Sequence, residues 1–289
     1  MQQWRHYHAV FDSDRINPLI PMTPWTGHRP FAYDFVRNIR PQTVIELGTY
    51  TGCSFFSFCQ AVKDGHLVGT SLTAVDTWKG DSHAGFYGEA VYETFLAVIK
   101  KCYGALLINQ LRKKFIEAVA DIADASIDML HIDGFHSYEA VEEDYQTWLP
   151  KMRQDGVIFF HDVYTEEYES TLFWRELANC FPSFLFEHSY GLGLLFPKGD
   201  KLHRFLLEQG LPGLIPFYAH IGLLEMSLAQ SRADAVAQAQ SRQAVLEERL
   251  RQAEADEARL EQQVKTWWQA AMDAQWKLDC LKKDGFQEP

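Results

Sequence analysis

Residues 43–58, TVIELGTYTGCSFFSF, constrain the fold of this chain more than any other stretch. The stretch opens on Val44-Ile45-Glu46-Leu47, a short apolar run suited to a buried parallel strand. Gly48 and Gly52 follow directly, and residues 53–59 then begin an apolar helix with small polar residues at its mouth. A strand that turns through glycine into a helix lets a nucleotide-like ligand approach the backbone, because glycine permits the tight turn and carries no side chain to collide. The turn has no lysine to grip a triphosphate, and Tyr50 stands where a G-x-G-x-x-G fingerprint needs its second glycine. The next strand, 72–75, ends in Asp76. An acid at that tip can accept both hydroxyls of a ribose; a loop or capping residue is the plainer alternative.

The remaining segments alternate between strand and helix. Residues 1–24 form an irregular, Pro-rich lead-in, and a helix over 31–40 stops at Pro41. Residues 77–89 are a loop dense in glycine and aromatics, which the pattern places as a substrate lid. A helix over 91–102, a strand over 106–108 and a helix over 111–123 follow. Then come the strand 127–133, a helix over 138–149, the strand 157–160, a helix over 171–180, and two final strands, 184–187 and 192–196, joined by a short turn. Such alternation predicts a doubly wound α/β fold, with a mostly parallel sheet and one antiparallel edge.

VIELGTYTGCSF, AVDTW and IDMLHIDGFHSYEAVEEDYQTWLPKMRQDGVIFFHDV together resemble a class I S-adenosylmethionine-dependent methyltransferase. They are similar to the group that holds macrolide sugar O-methyltransferases and cephalosporin-hydroxylase-like enzymes. The resemblance implies a Rossmann-like, seven-stranded sheet over a domain spanning 25–210. It also implies a cofactor cradle of Glu46, Gly48, Thr49, Gly52, Ser54, Asp76 and Asp133. In the sugar enzymes a D-x-x-H supplies a metal ligand and a general base, matched here by Asp133 and His136, the two expected catalytic residues. A Glu-Asp pair there supplies two further magnesium ligands. Asp162 matches the acid, but His161 stands in place of the glutamate. Magnesium prefers oxygen, so the expected metal set of Asp133, His161 and Asp162 fits magnesium, a softer divalent ion, or no metal at all. Histidines 131, 136 and 161 can also be hydrogen-bonded structural residues, a reading that suits His131, within its strand, best. His28, Arg29, Trp78, Tyr87 and Tyr138 are the candidate substrate contacts, because aromatic faces and hydrogen-bonding cations suit a sugar ring.

Beyond residue 210 the composition changes. Pro212 and Pro216 punctuate an expected linker, 211–222, and a helix over 223–284 follows before a polar tail, 285–289. Heptads counted from Val236 place apolar residues at twelve of fourteen a and d positions, broken only by Gln243 and Glu257. This is a coiled-coil pattern, and it predicts self-association in preference to a helix folded back on the domain.

The chain of 289 residues is 47% hydrophobic and carries a net charge of −12, which argues against a general nucleic-acid binder and leaves room for a local basic patch. Its five scattered cysteines form no C-x-x-C and suit a reducing cytoplasm. No run reaches the length expected of a transmembrane segment. The leading expectation is an O-methyltransferase for a sugar hydroxyl of a glycan or glycoside, held as a homo-oligomer or docked to glycosyltransferases through the coiled coil. A small-molecule or phenolic O-methyltransferase is the enzyme alternative. A non-catalytic coiled-coil scaffold with a relic domain is the alternative outside catalysis.

Overall fold

A computed structural model describes residues 3–81 and 85–284; residues 82–84 of the lid loop and the tail 285–289 lie outside the described residues. The chain divides into two compact units, Met1–Ala233 and Asp234–Pro289.

The first unit is built on seven strands: β1 (Thr43–Leu47), β2 (Ser71–Val75), β3 (Leu107–Leu111), β4 (Ile127–Ile132), β5 (Met152–His161), β6 (Ser183–Phe186) and β7 (Leu192–Leu195). Their order across the sheet is β3-β2-β1-β4-β5-β7-β6. The first five are parallel, and β7 runs antiparallel to both β5 and β6. This is the doubly wound arrangement expected from the alternation of strands and helices.

Alternate residues of the central strands feed two cores. Val44, Leu72, Met129 and Phe159 face one cluster, while Ile45, Val75, Leu130 and Phe160 face the other. That two-sided burial is why these runs are continuously apolar. Helices α1 (Arg29–Ile39) and α2 (Cys53–Asp64) cover the first side with Phe31, Phe35, Phe55 and Phe58. Helices α3 (Tyr138–Trp148) and α4 (Ser170–Cys180) cover the second with Tyr145, Trp148 and Trp174. From β1 the chain winds outward to β2 and β3, then crosses back to β4 on the other flank of β1. The crevice beyond the carboxyl ends of β1 and β4 is therefore the topological switch point, where open α/β sheets bind ligands.

Three expectations need correction. The helix expected over 111–123 shrinks to Phe115–Ala118 and a single turn, Val119–Asp121, because Leu111 is still paired in β3. No linker separates the sheet domain from the C-terminal helix, because that helix, α5, runs unbroken from Leu211 to Asp284. Pro212 falls in its first turn, where a missing N–H costs nothing. Burial then carries the helix through Pro216. Tyr218, 1% exposed, donates its hydroxyl to Asp34 Oδ2 at 2.7 Å, and Trp4 Nε1 donates to the Tyr218 oxygen at 2.9 Å. Thus both the lead-in and the front of α5 belong to the first unit. Finally, α5 does contain one 18-residue window long and apolar enough, by composition, to cross a membrane.

In the second unit the heptad residues Leu246, Leu250, Leu260, Val264, Trp267, Leu278 and Leu281 are all exposed.

These contacts predict where the chain can be cut. A chain ending at Ala233 should unfold with the same denaturant midpoint as the first unit of the full chain. Tyr218→Phe should destabilise that unit by about 1–3 kcal/mol, because Asp34 and the Trp4 indole lose a buried partner; urea denaturation followed by tryptophan fluorescence measures both.

Candidate active site

A cleft of about 680 Å³ opens at the switch point and is lined from both flanks of the β1–β4 crevice. Its β1 side is the glycine turn. Gly48 has φ +87°, and a Cβ there would stand 1.9 Å from the Asp133 carbonyl oxygen, so only glycine lets the exits of β1 and β4 lie this close. Asp76 stitches the turn together. Its Oδ2 accepts the backbone N–H groups of Thr49 and Tyr50 at 2.9 and 2.8 Å, and its Oδ1 accepts that of Trp78 at 2.7 Å. The acid at the β2 tip thus shapes the cradle as well as lining it. Thr49 and Thr51 line the same wall with buried hydroxyl oxygens that have no hydrogen-bond partner. A polar ligand would meet unused donors and acceptors there.

The opposite wall carries the titratable cluster, which the strand ends position. Asp133 follows β4, and its backbone N–H donates to Leu47 O at 2.9 Å. His136 precedes Ser137, whose hydroxyl caps α3 by accepting from Ala140 N at 3.2 Å. The His136 ring stacks on Tyr168, with centroids 4.6 Å apart, and its Nε2 lies 3.1 Å from Asp162 Oδ2. His161 Nδ1 lies 3.3 Å from Asp133 Oδ1 and 3.2 Å from Asp162 Oδ1. Burial alone would lower the His161 pKa, but the Asp162 and Asp133 carboxylates outweigh it and hold the ring protonated, with a pKa pushed up to about 10. Asp162 itself adopts φ +58°, a left-handed conformation unusual outside glycine, and Tyr50 and Tyr190 on the rim do the same. Such strain concentrates where side chains are aimed at a ligand.

Beneath the cradle lies a buried chain of hydrogen bonds. Trp25 Nε1 donates to His131 Nε2 at 3.0 Å, and His131 Nδ1 contacts Glu46 Oε2 at 2.9 Å. Burial pushes the Glu46 pKa up.

Gly48, Thr49, Ser54, Asp76, Tyr87, Asp133, His136, His161 and Asp162 therefore line one cleft, as the sequence pattern suggested. Glu46 sits below it, and Gly52 caps α2 from behind the turn. Four of the candidate substrate contacts have other roles. Arg29 is fully buried, clamped by both Asp14 oxygens at 2.9 Å with its guanidinium over the Phe11 ring. Trp78 packs in the core against Phe95 and donates to Tyr50 O. Tyr138 packs edge-on against Phe173 on the far core and donates to Glu176. His28 lies behind the cleft, donating to Ser189 O at 3.2 Å, and its ring is kept neutral chiefly by burial. Asp133, His136 and Asp162 present ligand atoms within 4.8 Å of one another, and His161, the third member of the expected metal set, lies against the Asp133 and Asp162 carboxylates. Trp25, Tyr168 and Tyr190 also line the cleft and were missed. They fall in the short helical turn Pro24–His28 just past the lead-in, a polar run and a turn, where no periodicity marks a side chain's direction.

A family profile described as a methyltransferase domain matches residues 45–163, the stretch from β1 to just past β5. Residues 45–163 are thus similar to a methyltransferase domain. An uncharacterised protein of Sinorhizobium fredii is 44% identical over 178 residues. That match covers 61% of this chain, but the chain spans only 19% of the relative. Among solved structures, an O-methyltransferase from Bacillus cereus in complex with S-adenosylhomocysteine is 12% identical, with a TM-score of 0.47 over 65% of this chain and 92% of that one. TomG, an O-methyltransferase from Streptomyces achromogenes involved in tomaymycin synthesis, is 12% identical, with a TM-score of 0.48 over 66% and 91%.

One partly buried carboxylate beside this cleft yields a pH prediction. Asp144, on α3, stands against the cleft residue Gly134, and burial, with Glu143 nearby, raises its pKa to about 7. The folded state therefore favours the protonated acid. This costs no stability below the ordinary carboxylate pKa; the penalty grows as pH rises from about 4 to 7 and is constant above. Asp144→Asn should leave stability unchanged near pH 4 and raise it at pH 8, by a few kcal/mol at most. Urea midpoints at the two pH values measure the difference.

Proposed function

We propose that this chain is an O-methyltransferase that transfers the methyl group of S-adenosylmethionine to a sugar hydroxyl of a glycan or glycoside. The observation that carries the reading is the His136–Asp162 pair facing the glycine cradle across a single cleft. Gly48, Thr49, Ser54 and Asp76 would hold the cofactor, and the unpartnered hydroxyls of Thr49 and Thr51 fit a polar ligand on that wall. S-adenosylmethionine supplies a methyl group already activated by its sulfonium. The protein is left to align an acceptor oxygen and remove its proton. His136 takes that proton; Asp162 stabilises the imidazolium that results, and stacking on Tyr168 fixes the plane of the ring.

The lining supports the acceptor class. Tyr50, Tyr87, Phe135, Tyr168 and Tyr190 offer flat apolar faces of the kind a sugar ring packs against. Asp76, Asp81, Asp133 and Asp162 face Lys114 as the sole lysine or arginine of the lining, which disfavours an anionic acceptor. A neutral phenol is the second reading, favoured by the same aromatic walls. The intact cluster speaks against a relic domain. All five cysteines are free, as a reducing cytoplasm would keep them. In a metal-dependent alternative, which would replace the role of His136 as the base, a divalent ion would be held by Asp133, His136 and Asp162, a mixed nitrogen and oxygen set better matched to a first-row transition ion than to magnesium. It would supply a lowered hydroxyl pKa.

The second unit is the proposed oligomer contact, and a second copy of the chain is its partner. In a parallel pair, Arg242 and Arg249 at g positions meet Glu247 and Glu254 at e positions of the partner helix.

Calorimetry should show S-adenosylhomocysteine binding in the micromolar range, and no heat at millimolar ligand would end the cofactor assignment. His136→Ala should retain that binding while turnover on a glycoside acceptor falls roughly 10²- to 10⁴-fold; wild-type turnover would remove His136 as the base. Activity that chelation abolishes and manganese restores would favour the metal reading. Light scattering should show a dimer or larger for the full chain and a monomer for a chain ending at Ala233. A monomeric full chain at tens of micromolar would contradict the coiled-coil contact.

A further inference from the structure

His131, on the central strand β4, is fully buried among groups whose hydrogen bonding leaves it one arrangement. An indole nitrogen can only donate. The 3.0 Å bond from Trp25 Nε1 therefore requires a bare lone pair on His131 Nε2. The ring proton must then sit on Nδ1, where it donates to Glu46 Oε2 at 2.9 Å. Glu46 and His131 are both 0% exposed and Trp25 is 2% exposed, so no solvent competes with this order of donors. One Glu46 oxygen is thereby fixed. The other, Oε1, is buried without a hydrogen bond of ordinary length, although the Ser54 hydroxyl acts on the same carboxylate and lowers its pKa. Glu46 lies on β1 two residues ahead of Gly48, directly under the cradle, and Trp25 itself lines the cleft.

A buried carboxylate oxygen left without a donor is costly unless a ligand supplies one. A cofactor with a free amino acid end brings an ammonium, a charged donor suited to that oxygen. We propose that Trp25 and His131 form a positioning relay: they hold the Glu46 carboxylate in one orientation, so that Oε1 is presented to the amino acid end of the cofactor. The inference rests on the cofactor reading above and adds two residues to it. The indole sets the imidazole tautomer, and the tautomer sets the carboxylate. Trp25, just past the lead-in, thus takes part in building the floor of the glycine turn.

The test compares two probes, S-adenosylhomocysteine and 5′-methylthioadenosine, which share the nucleoside but differ in the amino acid end. His131→Leu should weaken S-adenosylhomocysteine binding roughly 10- to 100-fold and leave methylthioadenosine binding unchanged. His131→Asn, whose amide can donate from near the Nδ1 position, should restore most of the loss. Equal weakening of both probes in His131→Leu would mean a collapsed pocket and would overturn the relay, as would unchanged binding of both. Wild-type protein that binds neither probe would instead defeat the cofactor reading itself, and the relay with it. Ring nitrogen shifts of His131 in the ligand-free wild type give an independent readout. A proton on Nδ1 that persists in the wild type and is no longer fixed in Trp25→Phe is the expected result; a proton on Nε2 in the wild type would overturn the assignment.

Discussion

The whole arrangement depends on the close contact between the ends of two adjacent parallel strands. Gly48 at the exit of β1 lies against the backbone of Asp133 at the exit of β4, with no room for a Cβ between them. Because the chain reverses its direction of winding there, the helices that follow diverge and leave a crevice. The glycine turn forms one wall, and Asp133, with the loop it starts, forms the other. Any residue but glycine at 48 would push apart the two strand ends that define the cleft.

Charge is distributed to match. The cluster at the mouth places two carboxylates around a protonated His161, and against the opposing effect of burial that cation helps hold the Asp133 carboxyl below the usual carboxylate range. His136, paired with Asp162 and more exposed than His161, is the one proposed for proton exchange. One wall therefore holds one histidine that carries fixed charge and another suited to acid–base work. Asp76 divides its effort similarly, since the same carboxylate that faces the cleft also holds two backbone N–H groups of the glycine turn and that of Trp78.

The sheet was legible in the sequence because its strands are buried on both faces, which leaves continuous apolar runs such as VIFF at 157–160 that end in polar residues at the cleft. Strand-end residues were legible for the same reason: Gly48, Asp76, Asp133, His136, His161 and Asp162 each follow such a run. What local pattern could not reveal was tertiary in origin. The prolines at 212 and 216 read as breaks, yet buried contacts of Tyr218 with Asp34 and Trp4 keep the helix whole. Arg29 and Trp78 read as ligand contacts, because nothing near them in sequence shows that Asp14 and Phe95 bury them. Trp25 and Tyr168 read as nothing in particular, because irregular segments carry no period from which direction can be inferred.

The most direct measurement of the central claim is a crystal structure of the full chain grown with S-adenosylhomocysteine. The account predicts the ligand in the β1–β4 cleft, its ribose at Asp76, its amino acid end above Glu46, and its sulfur facing the space beside His136 and Asp162. Density for the ligand elsewhere on the molecule, or its sulfur turned away from that cluster, would contradict it.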